Sequence, residues 1–189
     1  ATTEIYTLSL HDALPICKKI PGRKVVYLTF DDGPVPETTP YVLDILKEEG
    51  VHATFFMVGR NIARYPELYH RVKTEGHTIG DHTFDHKIEN TDLEKTNPLL
   101  FRPPHGRITP WQAYKILKNG RYIVLWDVMT HDWDKSYTPE RILQRVKRKT
   151  RNGSIIICHD SVKSHNQTLP ALRPIIQWLK KEMYEFETL

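Results

Sequence analysis

The stretch Tyr27-Leu28-Thr29-Phe30-Asp31-Asp32-Gly33-Pro34-Val35 decides how this chain is read: an apolar strand breaks there into a Gly-Pro turn, with two carboxylates at the break. Val25 to Phe30 is short, apolar and rich in β-branched and aromatic residues, which predicts a buried β-strand stopped by Gly33-Pro34. Neighbouring side chains on a strand face opposite ways, so Asp31 and Asp32 converge only if the turn begins at once. Two carboxylates held close make sense when a cation lies between them, or when one is kept as a proton acceptor. The plain alternative is a polar turn.

Outward from that stretch, strands and helices alternate. Strands are expected at Val51–Val58, His77–Thr83, Leu99–Pro103, Arg121–Val128, Ser154–Cys158 and Tyr184–Thr188, and helices at Glu37–Gly50, Asn61–Glu75, Thr109–Lys118, Thr138–Arg151 and Leu169–Met183. This rhythm means βα units on a parallel sheet, and runs apolar on both faces agree with it. With six or seven units and no Gly-rich phosphate loop, the expected α/β fold is a distorted, closed or partly closed (β/α)7-type barrel, not a Rossmann sheet. In a barrel, reactive residues belong at the C-terminal ends of strands, which is where the candidates fall.

The 189 residues are one domain's worth, 39% hydrophobic and 26% charged, with no apolar run long enough for a membrane span. The formal charge of +4 is concentrated partly in Arg141–Arg151, which reads as the solvated face of an amphipathic helix. No stacking platform or motif accompanies it, so nucleic acid is not an expected partner. Two cysteines exclude a disulfide framework and a Cys-based metal knuckle.

His82-Thr-Phe-Asp-His86 spaces two imidazoles four residues apart, neighbours on one face if the segment turns helically. With a carboxylate they make a two-His-one-carboxylate site that leaves positions free for water and substrate. Arg102-Pro-Pro-His-Gly106 is a loop stiffened by prolines, which holds the Arg fork and the remaining N–H groups in place. His131-Asp132-Trp133 and His159-Asp160 follow the next two strands, and a carboxylate near an imidazole raises its pKa and orients it, as a general acid requires. His131, His165, His105 and His52 read as ordinary loop histidines. A Cys158–His159 dyad is rejected, because strand neighbours point to opposite faces.

Thr29-Phe-Asp-Asp-Gly-Pro34, His82-Thr-Phe-Asp-His86, Arg102-Pro-Pro-His-Gly106, Asp132-Trp133 and Ile155-Ile-Ile-Cys-His159 together resemble, in order, the five motifs of the polysaccharide deacetylase family with the NodB homology domain, carbohydrate esterase family 4. The resemblance spans residues 24–189. It implies removal of N-acetyl groups from N-acetylglucosamine-containing polysaccharide, chitin-like or peptidoglycan. It implies a divalent metal, usually zinc and sometimes cobalt, held by Asp32, His82 and His86. By the same resemblance Asp31 is the general base, fixed by Arg102; the His105 N–H helps hold the oxyanion; Asp132 tunes His159 as general acid; and Trp133 and Ile157 line the acetate pocket. An acetylated glycan is the expected partner, a monomer the expected state and the envelope or exterior the compartment the family favours.

Three departures stand out. His105 occupies a place that is often aromatic in the family, and Met129 stands where a second Asp usually opens the Asp-Trp motif, which puts part of the network around Arg102 in question. Only fifteen residues separate His86 from Arg102, so an outer helix between Asp85 and Arg102 is expected to be shortened or missing. Three rivals remain: an O-acetyl xylan esterase of the same family, a catalytically silent glycan-binding member, and an iron oxygenase built on the same triad. Residues 1–16 match the translation of a widely used short-read sequencing adapter, so they are expected to be a scar, not native sequence, with 17–23 as a linker. His11, Asp12 and Cys17 are accordingly not read as ligands.

Overall fold

The computed structural model describes residues 19–87 and 99–189. The expected scar and residues 88–98 of the short connection, where the outer helix is expected to be shortened or missing, lie outside the described residues. Among the described residues, eight strands form one parallel sheet: β1 (Val25–Asp31), β2 (Thr54–Met57), β3 (Thr78–Asp81), β4 (Leu100–Phe101), β5 (Tyr122–Ile123), β6 (Val128–Met129), β7 (Ser154–His159) and β8 (Glu185–Glu187). The spatial order is β5-β4-β3-β2-β1-β7-β6. One edge of β1 is shared, β8 pairing with Val25–Tyr27 and β2 with Thr29–Asp31. The helices are α1 (Thr39–Glu48), α2 (Gly59–Arg64), α3 (Pro66–Thr74), α4 (Pro110–Lys118), α5 (Pro139–Lys149) and α6 (His165–Lys181). None of the described helices is long and apolar enough to cross a membrane.

β1 is buried along its whole length, and alternation sorts its two faces. Val26, Leu28 and Phe30 join the core under α1 and α6, whereas Val25 and Tyr27 join a smaller cluster with Phe56, Val124 and Ile155. The face of Val25 and Tyr27 turns polar at Thr29 and Asp31, near the C-terminal mouth. The expected curled α/β barrel is therefore present, and it differs from the sequence reading in two places.

The helix expected over Asn61–Glu75 is broken at Tyr65, which leaves helical geometry before Pro66 and so separates α2 from α3. The strand expected over Arg121–Val128 is two short strands on opposite edges of the sheet. Val124 N–H still donates to Phe101 C=O of β4 at 2.8 Å, while Asp127 N–H donates to Ile155 C=O of β7 at 3.2 Å. The chain itself thus bridges the gap between β5 and β6.

Candidate active site

The strand ends set the geometry. Asp31 and His159 are direct partners in the β1–β7 ladder, so both carry their side chains into the mouth at one level. Asp81 and Phe101 are partners across β3 and β4, which brings the next residues, His82 and Arg102, together as well. Of the ten residues singled out in the sequence, all but Arg102 and Asp132 line one cavity of about 480 Å³. Those two are buried behind it.

Asp32, His82 and His86 each offer a ligand atom, all within 4.8 Å of one another. The Asp32 Oδ1 atom is 3.6 Å from His82 Nε2 and 3.2 Å from His86 Nε2. Two donors about 2 Å from a tetrahedral ion stand roughly 3.3 Å apart, so the set fits a divalent metal such as zinc. The donor chemistry agrees. His82 Nδ1 lies 2.7 Å from the Arg102 carbonyl, an arrangement in which Nδ1–H donates and the Nε2 lone pair is free for an ion. Burial pulls the His86 pKa down, partly offset by the Asp32 charge, and so favours the neutral imidazole that a ligand must be.

The two imidazoles do not meet through a helical turn, the condition under which their spacing alone makes them neighbours. Thr83 and His86 both have left-handed backbone, with φ of 67° and 59°, and the ring centroids come within 4.9 Å through that double bend. Asp32 is also left-handed, at φ 80°, which turns it away from the strand and brings it beside Asp31.

Asp31 is held by Arg102, whose Nη1 donates to Asp31 Oδ1 at 2.7 Å and to Thr29 Oγ1 at 2.8 Å. The other Arg102 donors reach Val124 C=O at 3.3 Å and Leu125 C=O at 3.4 Å. Those carbonyls belong to the bridging segment, where ladder bonding lapses, and a buried carbonyl there needs a donor. The fork thus anchors the carboxylate and also satisfies the barrel's open seam. The Phe56 ring lies 3.9 Å from the guanidinium and completes its setting. Burial lowers the Arg102 pKa, and Asp31 counters it. Met129 offers Arg102 no carboxylate, and among the described residues the fork's other hydrogen bonds go to the Val124 and Leu125 carbonyls.

Asp132 is His159's partner. Its Oδ1 lies 2.7 Å from His159 Nδ1 and its Oδ2 accepts from His159 N–H at 2.7 Å. Burial pulls the His159 pKa down, but the Asp132 charge and hydrogen bond outweigh it and push it up to about 9. Trp133 packs edge-on against the His159 ring at 5.1 Å, and His105 packs edge-on against His86 at 4.9 Å. Cys158 faces the helical core, where burial raises its thiol pKa well above the ordinary value, in keeping with the rejected dyad.

Several supporting residues carried no sequence signal of their role. Thr168 donates to Asp132 Oδ2 at 2.6 Å, and Ser164 to the His159 carbonyl at 2.7 Å. Asp160 does not serve His159. Its carboxylate accepts from Gly33 N–H at 3.0 Å and from Thr39 Oγ1 at 2.7 Å, and so pins the turn that carries Asp31 and Asp32. Only the Asp-Asp-Gly-Pro turn hints at the need for such a brace.

A curled parallel sheet with these carboxylates and imidazoles at its C-terminal mouth defines a polysaccharide deacetylase, and the chain belongs to that family: residues 18–152 match the family model for polysaccharide deacetylase. A peptidoglycan-N-acetylglucosamine deacetylase from Bacillus cereus is 37% identical over 188 residues, covering 89% of this chain and 87% of that protein. A chitooligosaccharide deacetylase from Bradyrhizobium sp. is 32% identical over 200 residues, covering 90% of this chain and 91% of that protein. The crystal structure of a peptidoglycan N-acetylglucosamine deacetylase matches with a TM-score of 0.84 and 33% identity, over 94% of this chain and 91% of that one.

Proposed function

We propose that this chain is a metal-dependent hydrolase, acting as a monomer, that removes N-acetyl groups from N-acetylglucosamine-containing polysaccharide, either chitin-like oligosaccharide or peptidoglycan. The observation that carries the reading is the pairing of Asp31 and His159 at one level of the barrel mouth, one held by a guanidinium and the other by a carboxylate, beside a three-donor cation set. Asp32, His82 and His86 would hold a divalent cation, which supplies Lewis-acid polarisation of the amide carbonyl and a more acidic water.

Asp31, kept in place by Arg102, takes a proton from the attacking water. The His105 backbone N–H holds the oxygen on which charge develops. An amine leaves only when protonated, and His159, kept charged by Asp132, gives that proton to the nitrogen. Trp133 and Ile157 form the apolar wall against which the acetyl methyl rests. An acyl-ester substrate needs the His159 proton less, because an alkoxide leaves more readily than an amide anion.

The test is metal analysis of the purified chain, followed by acetate release from chitopentaose and from peptidoglycan. One divalent ion per chain and acetate release from at least one glycan are expected. Bound metal and retained glycan affinity without acetate release would make the chain a silent binding member instead. In the same assay His159→Ala is expected to cripple amide cleavage far more than cleavage of acetylated xylan. Preserved xylan activity in a wild type inert towards amides would make it an O-acetyl esterase.

A further inference from the structure

Asp81 and Arg121 form an ion pair in which both side chains are 6% exposed, with Arg121 Nη2 donating to Asp81 Oδ2 at 2.8 Å. Neither residue lines the cavity, and removing two charges from water is costly enough that such a pair is weak evidence for stability alone. What it holds is more informative. The other oxygen of Asp81 accepts the Thr83 N–H at 2.9 Å, across the single residue His82. Thr83 is β-branched and sits at φ 67°, a conformation that is strained for such a residue and persists only where neighbours impose it.

Arg121 reaches Asp81 from the start of β5, beyond β4, and its guanidinium lies 5.2 Å from the Phe101 ring. On the far side of the turn, the Thr83 carbonyl accepts from Gly59 N–H at 2.9 Å and the Phe84 carbonyl from Arg60 N–H at 2.7 Å. The bend between His82 and His86 is therefore clamped at its start by Asp81 and along its back by α2. Of these contacts, the one from Asp81 is made by a side chain that is itself tied to a buried cation.

We propose that Arg121 and Asp81 are positioning residues for the metal site: the ion pair fixes the left-handed turn at Thr83 and thereby the spacing of the His82 and His86 rings. This rests on reading Asp32, His82 and His86 as the donor set. Arg121→Met removes the guanidinium that holds Asp81 Oδ2, so Asp81 turns away and Thr83 relaxes. Asp81→Asn combined with Arg121→Met removes both charges but keeps an oxygen for the Thr83 N–H, whereas Asp81→Ala combined with Arg121→Met removes that oxygen too.

The experiment uses the full chain and measures zinc affinity by competition with a chromophoric chelator, alongside the absorption spectrum of the cobalt(II) form. Arg121→Met is expected to weaken zinc binding by about 10–100-fold and to alter the cobalt spectrum. The Asn/Met double variant is expected to return close to wild-type affinity and spectrum, and the Ala/Met double variant to stay weak. Should Arg121→Met alone not fold, the two double variants carry the same comparison. Folded variants that bind zinc as tightly as the wild type, with an unchanged cobalt spectrum and only a lower melting temperature, would overturn the inference and leave the donor set intact. A wild-type chain that takes up no ion would overturn the donor set itself, and this inference with it.

Discussion

Asp132→Asn isolates the charge that keeps His159 protonated. The rise of the His159 pKa from 6.5 to about 9 corresponds to roughly 3 kcal/mol in favour of the imidazolium. Asparagine removes the carboxylate charge but not the burial that opposes protonation, so the pKa falls back to its ordinary value or below. At pH 8 a group with a pKa of 9 is about nine-tenths protonated and one with 6.5 only a few per cent, a loss of acid form of roughly 30-fold. The assay is kcat/KM for acetate release from chitopentaose as a function of pH. The alkaline limb is expected to move to lower pH by two units or more in the variant. A cation held beside Asp31 shifts both midpoints downward, so the difference between the two profiles is the diagnostic. A folded variant whose alkaline limb coincides with the wild type's would refute the assignment of His159 as the titrating acid. Stability follows the same linkage. A raised imidazole pKa contributes stability that is fully present below about 6.5 and lost as pH rises through about 9. The melting-temperature gap between the two proteins is therefore expected to be widest in mild acid and to narrow above pH 9.

Asp31→Asn is expected to retain the metal and lose about 10²–10⁴-fold in kcat, measured by acetate release beside metal analysis, and an unbound metal would show that Asp31 is a ligand instead of a base. Arg102→Met leaves Asp31 as a buried unpaired carboxylate and strips the donors from Val124 and Leu125, so urea denaturation is expected to show a loss of about 3–5 kcal/mol. A Cβ on Gly33 would stand 2.0 Å from Asp160 Oδ2, so Gly33→Ala is expected to displace Asp160 and lower stability by at least about 1–3 kcal/mol in the same denaturation assay. Unchanged stability there would mean that the turn has room that the brace does not imply.

The barrel was legible because β1, β2 and β7 are buried on both faces and so read as continuous apolar runs closed by polar strand ends. The candidate residues were legible for a related reason: Asp31, Asp32, His82, Arg102, Asp132 and His159 stand at or just beyond strand ends, where a chain that had only to pack would not place ionisable groups in succession. The split of Arg121–Val128 was not legible, since an apolar run does not record which edge of a sheet it serves. The bend between the two imidazoles was hidden as well, because Thr83 and His86 adopt left-handed backbone against their intrinsic preference, with bonds from Asp81 and α2 holding Thr83 and Phe84. The braces Thr168, Ser164 and Asp160 act on residues distant in sequence, so only the folded chain brings their partners into reach.

Asp32, Thr83, His86, His105 and His131 all carry positive φ on loops at the barrel mouth, and none of them is glycine. Such backbone persists only where the surrounding packing imposes it, so the rim takes its shape from what lies beneath it. Substitutions in that packing would therefore reshape the rim without touching any residue on it.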